Sequence, residues 1–285
     1  MELNIIDKYE IFIYEAAFIA VESNFWNGGH IPQALRKAIE RILAAANILN
    51  LNTAKEYLES HYSIANSESA KNLLEQMNKA DRPEFFKSLT YDQLILYHSA
   101  NFDISSEYGE YIANLIDFEG KNIVDIGGSS GGLLHGVKSR CNTADCTVFD
   151  TSAACLAGES FATGINYVER DFWTSDFSKY SFDIGILSNI LHDWSDEACI
   201  KLLSNLRPAL ANAEHIIIHE DILAEGGASP VETLMYGLRL SINEPGGKQR
   251  DIGEITALIS ESLPMFSLHK LHRFGPLSAA VFKSK

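Results

Sequence analysis

The hydrophobic pattern divides the chain into two textures. Up to about residue 118 the apolar positions recur at helical spacing. Leu35, Ile39, Ile42, Leu43 and Ile48 fall on one stripe of the segment 32–49, which predicts an amphipathic helix buried along that stripe. Thr53 followed by Glu56 predicts a capping box opening a short second helix. Further helices are expected at about 66–79, 83–99 and 105–117, the middle one from Pro83, a residue suited to a first helical position.

After Glu119-Gly120 the texture changes to short apolar runs separated by amphipathic segments. Strands are expected at 121–126, 146–150, 165–168, 182–187, 214–219, 265–272 and 278–283. Strands alternating with helices at this spacing argue for an α/β fold with a parallel sheet covered on both faces. The last two runs have no helix between them and predict a hairpin that makes one edge strand antiparallel. The reading is therefore an all-helical region over 1–118 and a sheet domain over 119–285.

Composition narrows the partners. The 285 residues carry 23 Lys and Arg against 38 Asp and Glu, a net charge of −15, which repels a polyanion and disfavours nucleic-acid binding. A small molecule is the better-suited partner. Cys141, Cys146, Cys155 and Cys199 lack metal-ligand spacing and read as reduced, partly buried thiols. The acidic start Met1-Glu2 and the apolar run 11–21, broken by Glu15, fit neither a signal peptide nor a membrane span, so a cytoplasmic location is expected.

Candidate chemistry gathers at the carboxyl ends of the expected strands, where open α/β sheets bind ligands. The run Val124-Asp125-Ile126-Gly127-Gly128-Ser129-Ser130-Gly131-Gly132 follows a strand and opens a helix, the context in which a glycine turn lets a ligand approach the backbone. Ser129 stands where the dinucleotide fingerprint requires glycine, which favours a nucleoside ligand without a pyrophosphate. Asp150, at the end of the second strand, is placed to accept from ribose hydroxyls. Asp171 and Phe172 follow the third strand, where a carboxylate beside an aromatic ring can hold an adenine. His192 follows the fourth strand in Leu191-His192-Asp193-Trp194 and is the chosen base among nine histidines, because neutral imidazole accepts a proton near neutral pH. His135, His215 and His219 read as structural.

Taken together, VDIGGSSGGLL (124–134), VFD (148–150), RDFW (170–173), ILHDWSDE (190–197), HED (219–221) and PGGKQRD (245–251) resemble the S-adenosylmethionine-dependent O-methyltransferases that include the plant caffeic acid and flavonoid enzymes and bacterial natural-product enzymes. The resemblance covers roughly 119–285. It implies a Rossmann-like class I methyltransferase sheet and S-adenosyl-L-methionine as cofactor. Gly127, Gly128 and Ser129 would line its methionine part, Asp150 its ribose, and Asp171 and Phe172 its adenine. It implies further that His192 deprotonates an acceptor hydroxyl, flanked by two acidic residues. The first maps to Glu220; the second position holds Gln249. The basic residue that many relatives carry shortly before the histidine is absent, leaving Ser188 and Asn189 for cofactor contact there. The family pattern also implies a homodimer, with residues 1–118 used for dimerisation or as a cap over the acceptor, although the strand hairpin of a winged helix is not found there.

The acceptor pocket is expected between the N-terminal helices and a helix beginning at Ser229-Pro230, with Met235, Tyr236, Arg239 and Asn243 as candidates to face a small aromatic acceptor. No metal is required. Two other readings stay open: a cofactor-binding enzyme with altered chemistry, such as N- or C-methylation, cyclisation or decarboxylation, and a non-catalytic partner subunit. A dinucleotide reductase is disfavoured by Ser129.

Overall fold

The computed structural model describes residues 13, 16, 17, 20, 21, 25–27, 33–60, 90–225, 233, 234, 236, 237, 240, 246–274 and 277–285. Within the chain two compact units can be distinguished: residues 1–82, 191–196 and 221–254 form one, and residues 83–190, 197–220 and 255–285 the other.

In the first unit, α1 (Gln33–Ala45) buries Ile39, Ile42 and Leu43 on one face, as the stripe predicts. These side chains form a core with Phe25, Ile48, Ala54, Leu223 and Leu234. The next helix, α2 (Leu51–Ser60), starts three residues earlier than a cap at Thr53 suggests. Asn50 is its cap: the Asn50 side-chain oxygen accepts from the Asn52 and Thr53 amides, each at 3.0 Å. The helix expected at 66–79, and Pro83 itself, lie outside the described residues.

The second unit opens with α3 (Tyr91–Ile112), one helix of 22 residues where two were expected at 83–99 and 105–117. Thr90 and Gln93 cap its start reciprocally. Between Ala100 and Ile104 no glycine or proline ends the helical pattern, so the two expected segments join. The helix belongs to the same unit as the sheet, although its period places it before residue 118.

The sheet strands are β1 (Asn122–Ile126), β2 (Asp145–Asp150), β3 (Asn166–Glu169), β4 (Ile184–Ser188), β5 (His215–Glu220), β6 (Phe266–Phe274) and β7 (Leu277–Ser284), in the order β3-β2-β1-β4-β5-β7-β6. The first five are parallel; β7 pairs antiparallel with both β5 and β6. This corrects the expected antiparallel edge. Hairpin return puts β7 inside, and β6 at the edge runs in the direction of the parallel strands.

Ile123, Val124, Ile184, Ile186, Ile216, Ile217 and Ile218 are all within 1% of complete burial, the near-continuous apolar pattern of strands covered on both faces. Helices α4 (Gly132–Arg140), α5 (Ser152–Glu159), α6 (Asp196–Leu206) and α7 (Ile252–Ser262) follow β1, β2, the β4 connection and the Gly246–Asp251 segment. Where α3 crosses α4 the contact is glycine-mediated: a Cβ on Gly109 would overlap the Leu133 carbonyl, and one on Gly136 the Ser106 carbonyl. All four cysteines are free, as expected, and buried rather than partly so. Among the described residues no helix is long and apolar enough to cross a membrane.

Candidate functional site

At the carboxyl end of β1 the chain turns through Gly127–Gly132 into α4. Gly127 and Gly131 have φ of +72° and +78°, open to glycine without strain. A side chain on Gly127 would meet Ile190, and one on Gly131 the Tyr167 hydroxyl, so close packing keeps the turn backbone bare. Ser129 adopts φ +54°, an uncommon conformation for a residue with a Cβ, and two contacts hold it there. Its amide donates to Asp150 Oδ2 at 2.8 Å, and its hydroxyl is hydrogen-bonded to His98 Nδ1. The Ser130 hydroxyl donates to the His98 carbonyl at 3.1 Å, and Tyr167 donates to the Ser130 carbonyl at 2.8 Å.

Two carboxylates stand beside this turn. Asp150 accepts from Ser129 with one oxygen and from the Thr151 amide with the other, at 2.6 Å. Each carboxylate oxygen has a further lone pair to offer. Burial raises the Asp150 carboxyl above its ordinary range, opposed by those two amide donors. Asp125, on β1, is 1% exposed, and burial together with the Asp150 charge pushes its pKa up to about 7. Its Oδ1 is buried with no hydrogen-bond partner among the described residues. A bare backbone cradle with an orphaned buried oxygen behind it suits a ligand that brings polar atoms of its own.

Further along the same sheet edge, Asp171 is exposed and accepts from the Trp173 amide and the Thr174 hydroxyl, both at 2.8 Å, in a tight Asx turn. Phe172 is half-buried, 5.1 Å edge-on from Trp173. Ser188 pairs its hydroxyl with His219 Nδ1 at 2.8 Å, and burial lowers the His219 pKa to about 4. That supports a structural reading of His219 and commits the Ser188 hydroxyl. Glu220 is 1% exposed, and its Oε1 accepts from the Ile190 amide at 3.1 Å.

The other unit holds His192 and Gln249. Asn189, at φ +55°, turns the chain out of β4, and a short 3-10 turn, Leu191–Asp193, follows. His192 is 5% exposed; its Nε2 lies 3.3 Å from Asp193 Oδ1, and its ring stands edge-on to Tyr236 at 6.0 Å. The Lys248 amide donates to the His192 carbonyl at 2.8 Å, so Gln249 directly follows the residue paired with His192. Gln249 is 3% exposed, and neither atom of its side-chain amide has a hydrogen-bond partner among the described residues. Its backbone is held by Arg41, whose guanidinium donates to the Gln249 carbonyl at 3.0 Å and to Glu254 at 2.9 Å. Tyr236 is described and 46% exposed, while Met235, Arg239 and Asn243 lie outside the described residues.

His98, Tyr167 and Asp193 are the neighbours that sequence reasoning did not select. Asp193 lay inside the quoted histidine run. His98 and Tyr167 had no local signal, because only the folded sheet edge brings them to the glycine turn.

Comparison with known proteins shows the family and the fold. A family model described as an O-methyltransferase domain matches residues 90–262, from the cap of α3 to the end of α7. Mouse acetylserotonin O-methyltransferase is 30% identical over 168 residues, covering 55% of this chain and 42% of that enzyme. The chain thus spans about half the length, or less, of the curated relatives it matches. An O-methyltransferase family 2 protein from Planctomyces limnophilus, solved with apigenin, aligns over 100% of this chain and 97% of its own, at TM-score 0.75 and 15% identity. Human N-acetylserotonin methyltransferase, solved with S-adenosylmethionine, aligns over 96% and 93% at TM-score 0.64 and 17% identity. Those two likenesses concern the fold. With the family model matching more than half of the chain, this protein belongs to the O-methyltransferase domain family.

Proposed function

We propose that the chain transfers the methyl group of S-adenosyl-L-methionine to a hydroxyl of a small aromatic, natural-product-like acceptor, with His192 as general base. The observation that carries the reading is the bare glycine turn locked onto Asp150 through the Ser129 amide. Gly127, Gly128 and Ser129 offer backbone to the amino-acid end of the cofactor, Asp150 offers its carboxylate to the ribose, and Asp171 and Phe172 flank the adenine. The cofactor supplies an activated methyl on a sulfonium.

The chain's own residues hold the acceptor oxygen in line and manage its proton. Positioning is the larger contribution, because fixing two reactants in attack geometry removes much of the entropic barrier. The His192 imidazole takes the acceptor proton, which contributes about 10²–10⁴-fold. The Asp193 carboxylate, 3.3 Å from the ring's Nε2, favours the imidazolium that results. Glu220 and Gln249 are assigned the two family positions that accompany the histidine, the latter with an amide in place of a charge. Tyr236, Met235, Arg239 and Asn243 are assigned to the acceptor. A cytoplasmic homodimer, with residues 1–118 as dimerisation or capping element, completes the proposal.

Apigenin or a simple phenol, incubated with protein and S-adenosylmethionine, yields an O-methylated product detectable by mass spectrometry. No product across hydroxylated aromatics would remove the reading. One observation favours a second: the uncharged Gln249 weakens support for a strong base, as N- or C-methylation or a non-methylating reaction would tolerate. Turnover that survives His192→Ala would select it.

A further inference from the structure

The glycine turn has a basic group against it that none of the assigned roles uses. His98, on α3, is 5% exposed and hydrogen-bonded through Nδ1 to the Ser129 hydroxyl, while its own carbonyl accepts from Ser130. Two consecutive residues of the turn are thereby tied to one residue of a helix some thirty positions earlier. A purely structural tie needs no ionisable ring at this place. Among the described residues, the charged groups beside the turn are acidic: Asp150 on β2, which faces the imidazole, and Asp125 on β1 behind the turn. Tyr97, His98's neighbour on the helix, meets the ring edge-on at 5.4 Å and brings no charge.

An amino-acid carboxylate entering at this turn would therefore meet two carboxyl groups of its own sign, with His98 as the group able to offset them. We propose that His98 is a cofactor-binding residue whose Nε2–H donates to the carboxylate of the methionyl end, while the Ser129 hydroxyl fixes the ring through Nδ1. The proposal rests on the cofactor reading above and adds to it the residue that recognises the amino-acid end. In the free protein burial lowers the His98 pKa, with Asp150 acting against it. A bound carboxylate favours the imidazolium, so binding is accompanied by proton uptake and strengthens as pH falls. Asp125 and Asp150 titrate as well: protonating them relieves their repulsion of the carboxylate and weakens their hold on the ammonium and hydroxyl groups, in parent and variant alike. The contribution of His98 is isolated by comparing parent and variant at each pH.

Calorimetric titration with two probes tests this. S-adenosylhomocysteine carries the amino-acid end; 5′-methylthioadenosine has the same nucleoside and thioether sulfur without it. In His98→Ala, affinity for S-adenosylhomocysteine falls roughly tenfold or more, as loss of a charge-assisted hydrogen bond implies. Affinity for 5′-methylthioadenosine stays within a factor of about two, well below that loss. The ratio of parent to variant affinity for S-adenosylhomocysteine is larger at about pH 6 than at about pH 8, across the ordinary histidine range. His98→Gln, which keeps a neutral donor, recovers part of the affinity and none of the pH dependence. Equal loss for both probes would assign His98 to holding the turn alone and overturn the proposal, as would no loss for either. If the parent binds neither probe, the cofactor reading itself fails.

Discussion

The amide of Lys248 donates to the carbonyl of His192 at 2.8 Å, joining two sequence motifs some fifty residues apart. Side chains reinforce the junction. Asp196 accepts from Lys248 Nζ at 2.7 Å and from Arg250 Nε at 2.9 Å. The Arg250 guanidinium also donates to the carbonyls of Leu191 and Trp194, at 2.6 and 2.7 Å, on either side of the histidine. The histidine turn is thus held by its backbone, and the Arg and Lys of the second motif are its clamp.

Replacing Arg250, which is 1% exposed, removes a donor from the Leu191 and Trp194 carbonyls and from the Asp196 carboxylate, which keeps Lys248. Arg250→Ala is expected to lose about 3 kcal/mol or more of stability. Arg250→Lys recovers little, because an ammonium cannot reproduce the planar fork. Urea denaturation of the three proteins measures this directly.

Gln249 stands next to that clamp with a buried amide that has no hydrogen-bond partner among the described residues. Gln249→Leu is expected to raise the unfolding midpoint, by about 1 kcal/mol in stability, since an unmatched polar group is removed from the interior. The same change raises the acceptor KM if the amide binds substrate. Opposite movements of stability and KM distinguish a binding residue from a packing one.

The crossing of α3 and α4 depends on having no Cβ. Gly136→Ala would drive a methyl group into the Ser106 carbonyl, and Gly109→Ala one into that of Leu133. Each is expected to destabilise by about 1–3 kcal/mol, despite alanine's better helix propensity. Thermal unfolding of the single variants measures it, and because His98 and the glycine turn are carried by these two helices, cofactor affinity falls with them.

Asp125 makes stability depend on pH. Its pKa is raised to about 7, so the folded protein keeps a proton that the unfolded chain releases from about pH 4 upward. Stability from this group is therefore lost as pH rises from about 4 to 7 and is level above. His219, lowered to about 4, has the opposite sign: its contribution is present above about pH 6.5 and lost as pH falls toward 4. Asp125→Asn is expected to be more stable than the parent at about pH 8, on the order of 3 kcal/mol, with the difference closing toward about pH 4. Denaturation midpoints across that range test the sign.

The sheet was readable because its central strands β1, β4 and β5 carry short apolar runs buried on both faces, and the turn because Gly127 and Gly131 are required by positive φ. The place of β7 was not readable: a hairpin pattern specifies that two strands pair, not which one faces β5. The join of two helices into α3 escaped because a shift of apolar stripe resembles a break. Among the site residues, those at strand ends could be found from order alone. His98 and Tyr167 could not, since their contacts to Ser129 and Ser130 arise from long-range packing with no local period.

The central claim is that His192 takes the proton of an acceptor hydroxyl while other residues hold the cofactor. Turnover of methyl-labelled S-adenosylmethionine with a phenolic acceptor, compared between parent and His192→Ala, tests it most directly when S-adenosylhomocysteine affinity is measured on the same samples. The account predicts a kcat loss of about 10²–10⁴-fold with cofactor affinity unchanged. A variant that methylates the phenol at the parental rate would contradict it.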